Sequence, residues 1–271
     1  MAVTTATFAT VITRSAGMAG GVAKPLNAGG QAVDAVANTP ASSAAVNAGT
    51  DHFKLAPGTT VAHVTQADAI TGGTMVGYQA GTDSVFLQFN ANVISSCVLP
   101  TAGPSLFFTA QLSGCSIFVD EDQATGEAIV YHANGMHFSA SAAQVKQNWL
   151  MEWATTAETY CTNLYNAAHA DHLAARPQLV AVGHVHKSGY AALIKAEIAR
   201  KRAMGRSNVD VLWGTNIVGF RTGTSWDFQY QAWIGMVDYD RPIYAPARWV
   251  GSKHVKKTGA RIVQVASFCH T

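Results

Sequence analysis

The chain has 271 residues, with 18 Lys+Arg against 16 Asp+Glu and a formal net charge of +2, too balanced for the basic footprint of a dedicated nucleic-acid binder. Charged residues make up only 13% of it, against roughly 25% in ordinary globular chains, yet six Trp, eight Tyr and eleven Phe exclude disorder throughout. No apolar run approaches the ~20 residues that span a bilayer, so no integral membrane segment is expected, and Arg14 interrupts the only stretch that resembles the apolar part of a cleavable secretory signal.

Residues 1–50 are rich in Ala, Gly, Thr and Ser, with only Arg14, Lys24 and Asp34 charged. They read as a leader or loosely packed extension, and residues 51–271 as a single domain. Short β-type runs follow at 59–65, 74–79, 84–89 and 91–98, divided by Gly, Asp, Asn and Pro signals. Further runs at 105–112, 115–120 and 127–132 lead to a long helix from a Ser139 cap to about Ala168, with Trp149 and Trp153 on one face. A second helix is expected from Ser188 as N-cap to Met204, stopped by Gly205. Strands return at 210–221, 225–237 and 261–268. Many short strands around two helices, without regular βαβ alternation, point to an α+β domain built on a β-sandwich.

The most informative window runs from Leu106 to His132. Two apolar runs flank the polar stretch Glu121-Asp122-Gln123-Ala124-Thr125-Gly126, which is a hairpin pattern. A hairpin centred between Gln123 and Ala124 sets Cys115 opposite His132, Ile117 opposite Val130 and Val119 opposite Ala128. Directly opposed residues have Cβ atoms roughly 4.5–5.5 Å apart, so an imidazole reaches the sulfur. A thiol beside an imidazole suits nucleophilic catalysis, because the imidazolium lowers the thiol pKa and then protonates a leaving group. Ser113 and Gly114 allow a tight approach before Cys115, where backbone N–H groups can hold an oxyanion. Thr109 is placed to orient His132 as a third member. The alternative is a small core thiol with a locally satisfied histidine. A slipped register would bring His137 into the place of His132.

Thr109-Ala110-Gln111-Leu112-Ser113-Gly114-Cys115, with Tyr131-His132 after an intervening strand, resembles the glutamine deamidase toxins, the family of the cytotoxic necrotizing factor catalytic domain and the Burkholderia lethal factor. The chemoreceptor deamidases have a similar Thr, Cys, His set on a related fold. The specific part of the resemblance covers about residues 105–132, with looser similarity around Trp149–Trp153 and at 219–230, including Arg221 and Gln229. It implies a β-sandwich core flanked by helices, Cys115 as nucleophile, His132 as base and Thr109 as the third member. It further implies a bacterial toxin or effector, secreted or injected, that deamidates a glutamine of a host protein in the host cytoplasm. No cofactor or metal is required by that chemistry. Proteolysis and transglutamination use the same thiol and stay open, as does a noncatalytic protein-binding module.

Other groupings weigh less. His169 with His172 and His184 with His186 have metal-compatible spacings. No acidic HExxH partner accompanies them, and His169 and His172 fall where the first helix is expected to give way to loop. They read as exposed or locally hydrogen-bonded histidines. The basic groups Lys195, Arg200, Lys201, Arg202 and Arg206, and Lys253, Lys256, Lys257 and Arg261, read as solvated faces or a docking patch. Trp226, Phe228, Tyr230 and Trp233 read as a packed strand face, and Cys97, Cys161 and Cys269 as structural thiols.

Overall fold

The computed structural model describes residues 53–54, 60–70, 73–87, 94–109, 112, 114–134, 154–203, 209–239 and 255–271. In chain order these form β1 (Phe53–Lys54), β2 (Thr60–Ile70), β3 (Gly73–Leu87), β4 (Ile94–Leu99), β5 (Leu106–Thr109), β6 (Ser116–Asp122), β7 (Glu127–Ala133), α1 (Ala154–Ala175), β8 (Leu179–Val185), α2 (Lys187–Ala203), β9 (Val209–Thr222), β10 (Ser225–Tyr239) and β11 (Val255–His270). The 1–50 leader, the Ser139 cap, Trp149, Trp153, Ser113 and His137 lie outside the described residues.

The strands build two largely antiparallel sheets, giving a mixed α/β architecture with two helices among the described residues. One sheet has five strands in the order β1-β4-β7-β6-β8, the other six in the order β11-β10-β9-β5-β3-β2. Among the described residues only β1/β4 and β3/β5 run parallel. One apolar cluster draws on both sheets: Val119, Val130 and Leu99 from the first meet Leu87, Phe107, Ile217 and Phe228 from the second, and α2 adds Tyr190 and Ile194. The outer face of the five-stranded sheet, with Phe118, Ile129 and Tyr131, packs against Cys161, Leu164, Tyr165 and Ala168 of α1. No helix among the described residues is long and apolar enough to cross a membrane.

Several elements differ from their sequence expectations for identifiable reasons. The runs expected at 74–79 and 84–89 are one strand, β3, because a continuous partner, β2, is available along it. β8 is an additional strand at the edge, pairing with β6. Helix α1 continues past Ala168 to Ala175 and stops before Arg176-Pro177, since a proline disfavours helical geometry in the residue before it. His169 and His172 therefore belong to the helix and not to a loop. Ser188 lies inside α2 and does not cap it. Its own backbone N–H donates to the Glu158 carboxylate on α1, so the helix end is satisfied across the tertiary structure.

The two sheets approach closely where β8 meets β11. A Cβ on Gly183 would stand 2.5 Å from Cys269 Cβ and 3.1 Å from the Phe268 carbonyl oxygen. Gly183→Ala is therefore expected to destabilise by about 1–3 kcal/mol, the usual range for overpacking. A urea midpoint equal to that of the wild type would show that this edge yields freely.

Candidate active site

The chain crosses from the six-stranded sheet to the five-stranded one between Thr109, the last residue of β5, and Ser116, the first of β6. Leu112 anchors the crossover through paired backbone hydrogen bonds with Thr215 of β9, at 2.7 and 3.0 Å. Thr109 and Cys115 thus stand at its two ends, which gives their six-residue separation a structural meaning.

Strand alternation sends Thr109 to the same side as Phe107, into the space between the sheets. His132 lies there too, on the face of β7 that carries Val130. Both side chains are fully buried. Thr109 Oγ1 donates to the Leu87 carbonyl at 2.7 Å and lies 2.6 Å from His132 Nδ1. A hydroxyl has one proton. With that proton on Leu87, Oγ1 accepts from the imidazole, so Nδ1 carries the ring hydrogen and Nε2 is left as the basic nitrogen. Burial pulls the His132 pKa down to about 3, so the ring is neutral near pH 7. The expected pairing of Thr109 with His132 is present, and it selects the tautomer that a general base needs.

The hairpin forms with a different register from the one expected. Its loop is Gln123–Gly126: Thr125 N–H and Gly126 N–H donate to the Asp122 carbonyl at 3.1 and 2.7 Å, and Ala124 N–H donates to Asp122 Oδ1 at 3.0 Å. Gly126 closes it at φ 72°, a left-handed conformation suited to glycine. Asp122 consequently pairs with Glu127, and His132 stands opposite Ile117, not Cys115. The displacement along β7 is two residues, so the side-chain parity is kept and Cys115 and His132 still share a face. They are diagonal neighbours, a relation that corresponds to roughly 7–8 Å, with the Cβ atoms somewhat closer.

Cys115 is level with Asn134, which donates from Nδ2 to the sulfur at 3.1 Å. Tyr190 Oη donates to the Cys115 carbonyl at 3.1 Å. Burial pushes the Cys115 thiol up to about 12, with Cys161 also raising it, while Asn134, the Gly114 backbone and Lys187 act to lower it. The resting pair is a neutral thiol and a neutral imidazole, not the preformed thiolate–imidazolium pair that the sequence suggested. The cause is desolvation, which disfavours the charged form of each group.

Asn134, Tyr190 and Lys187 went unrecognised in the sequence. Asn134 carried a weak signal, since it lies two residues beyond His132 and shares its strand parity. Tyr190 and Lys187 come from a helix some 70 residues downstream and carried none. Sequence reading also missed a second polar centre on the opposite face of the hairpin. There the fully buried Asp120 accepts from Tyr131 Oη at 2.7 Å and Tyr165 Oη at 2.6 Å, and lies 2.8 Å from His169 Nδ1. His172 Nε2 lies 3.3 Å from Ser96 Oγ, and His186 Nδ1 lies 3.0 Å from Ser116 Oγ. Among the described residues no group of three or more His, Cys, Asp or Glu is placed to hold a metal ion.

The remaining candidates have local roles. Cys97, Cys161 and Cys269 are buried free thiols. Trp226 and Phe228 are fully buried in the inter-sheet core, with Tyr230 packed against it, whereas Trp233 is buried outside that cluster. Arg221 holds the turn before β5, donating to the carbonyls of Thr101, Gly103 and Pro104 at 2.7–3.0 Å. Arg200 is engaged with Glu197 on its own helix at 2.7 Å. The side chains of Lys201, Arg202, Arg206, Lys253, Lys256, Lys257 and Arg261 lie outside the described set.

Compared with known proteins, the sequence matches no protein-family model and, at a significant level, no curated protein.

Proposed function

We propose that this chain is a toxin- or effector-type protein-glutamine deamidase, built on a β-sandwich flanked by helices. The observation that carries the reading is the Thr109–His132 pair, which leaves Nε2 of a neutral imidazole basic on the face that also bears Cys115. The motif resemblance around Thr109, Cys115 and His132 supplies the reaction class. In the proposed cycle the S–H proton passes to His132 Nε2 as sulfur attacks the side-chain carboxamide carbon of a glutamine. The C–N bond then breaks, the imidazolium returns the proton to nitrogen, and ammonia leaves behind a thioester. Water, deprotonated by the same Nε2, cleaves the thioester to glutamate and restores the thiol. Ser113 and Gly114 are the proposed oxyanion-side residues. The substrate class is a host regulatory protein, in which replacing a neutral amide by a carboxylate removes a donor and adds a charge. On this reading the protein is secreted or injected by a bacterium and acts in the host cytoplasm. Proteolysis and transglutamination would share the thioester and differ in what attacks it.

One observation favours a noncatalytic protein-binding module instead: Cys115 is buried and its thiol is held neutral. Mass spectrometry of host-cell lysate treated with wild type or Cys115→Ala separates the readings. A glutamine converted to glutamate only by the wild type is the expected result. Conversion by both proteins would remove Cys115 from the chemistry, and conversion by neither would leave the binding module in front.

A further inference from the structure

Three groups on or beside α2 grip the strand around Cys115. Tyr190 donates to the Cys115 carbonyl, His186 meets Ser116 Oγ, and Lys187 lies over Gly114, its Nζ 3.9 Å from where a Cβ on that residue would be. Lys187 is buried, only 8% exposed. Taking an ammonium group out of water is costly unless an anion compensates it. Glu158 is one electrostatic partner, but its carboxylate also accepts from the backbone of Ser188. Among the described residues, the other ionisable group that acts on Lys187 is Cys115 itself.

Resting on the deamidase reading, we propose that Lys187 is the counter-cation of the Cys115 thiolate, balancing the charge left on sulfur when the thiol proton moves to His132. The S–H bond breaks, an N–H bond forms at Nε2, and the electron pair remains on sulfur beside the ammonium. Lys187 keeps its own protons throughout. This supplies what His132 alone does not, since a thiol held high by burial needs a nearby positive charge to ionise during attack. Coulomb interaction in a buried setting is several-fold stronger than in water. Among the described residues, the charged and titratable groups that interact with Cys115 are Cys161 on α1 and Lys187 and Tyr190 on α2, Glu158 on α1 acts on Lys187, and His132 on β7 is the diagonal neighbour across the hairpin. Burial pulls the Lys187 pKa down, and both Cys115 and Glu158 raise it again. While the thiol is neutral, the Glu158 carboxylate supplies this support, and Cys115 adds to it once its sulfur has ionised.

The test is the rate of iodoacetamide alkylation of Cys115 in the full chain, resolved by peptide mass spectrometry between pH 7 and 9, with buried Cys97 as internal reference. Lys187→Met is expected to slow Cys115 at least about tenfold, equivalent to a shift of ~1 pH unit. Lys187→Arg should restore most of the rate. Glu158→Gln, which keeps an acceptor for Ser188 but removes the carboxylate that supports the Lys187 charge, should act in the same direction and slow alkylation, most at the alkaline end of the range. It also provides an arm that survives a misfolded Lys187→Met. If wild-type Cys115 reacts but neither Lys187→Met nor Glu158→Gln changes its rate relative to Cys97, the inference falls and the deamidase reading stands. A wild-type Cys115 that stays inert across this range, while the denatured chain reacts, would overturn both.

Discussion

Asp120→Ala is expected to cost about 4 kcal/mol of folding stability, because each buried polar group left without its partner costs ~1–3 kcal/mol. Asp120 is completely buried and accepts from two tyrosine hydroxyls, those of Tyr131 and Tyr165. Both phenols have their pKa raised by burial, and the Asp120 carboxylate raises them further, so they remain donors throughout the accessible pH range. Removing the carboxylate strands the Tyr131 hydroxyl, leaves Tyr165 Oη with a long 3.5 Å contact to His169 Nδ1, and breaks the contact of Asp120 with His169, whose side chain is partly exposed and regains water. The remaining contacts of Tyr165, including its stack on Phe118 at 4.3 Å, are retained. Asp120→Asn should cost less, since its one carbonyl oxygen still accepts from a tyrosine. Urea denaturation of the two variants checks this order. A loss below about 1 kcal/mol for Asp120→Ala would mean that water enters and satisfies the hydroxyls.

Acidification should reveal the second large effect, through His132. In the folded chain burial holds its pKa near 3, below the ordinary 6.5. The unfolded chain therefore binds a proton that the folded chain does not, between those two values. The stability contributed by the neutral ring is present above pH 6.5 and is lost as pH falls towards 3. The slope is about 1.4 kcal/mol per pH unit, with a total on the order of 4–5 kcal/mol across the window. His186, also lowered by burial, adds a contribution of the same sign. His132→Gln should reduce the slope by about one proton's worth, whatever its absolute stability. An unchanged slope between pH 6.5 and 4 would show that His132 ionises freely in the folded protein. The result also bears on catalysis, because a ring that stays neutral serves as base and not as a standing cation. The opposite sign applies to Cys115, Cys161 and Cys269. Burial pushes each up to about 12, so their contribution is complete below the ordinary thiol value and is lost as pH rises through the folded one.

The hairpin shows how much of the site the sequence contained. Alternating apolar residues at Ile117, Val119, Ala128 and Val130 announced two strands, and the polar stretch between them announced a turn. The pairing was then placed two residues away because the loop was centred one residue early. Asp122 decides the true centre by accepting three backbone N–H groups, and Arg176 fixes the same corner, donating to Asp122 and Glu127 at 3.0 and 2.7 Å. Arg176 follows a helix more than 40 residues downstream, and no local pattern contains it.

The sequence by itself determined which side chains share a face, since parity along a strand is a local property that a two-residue register change leaves intact. It thereby kept Cys115 and His132 on one face of the hairpin, while the sheet packing made that face the inter-sheet side and the chain between Thr109 and Ser116 a crossover. Only the tertiary structure decided their electrical state. Burial between two sheets made both thiol and imidazole neutral, and Leu87 fixed the tautomer by accepting the one proton of Thr109. The docking of α2 brought Lys187 and Tyr190 to Gly114 and Cys115. Charge and tautomer depend on dielectric and on donors from distant segments, and those exist only once the sheets and helices have packed.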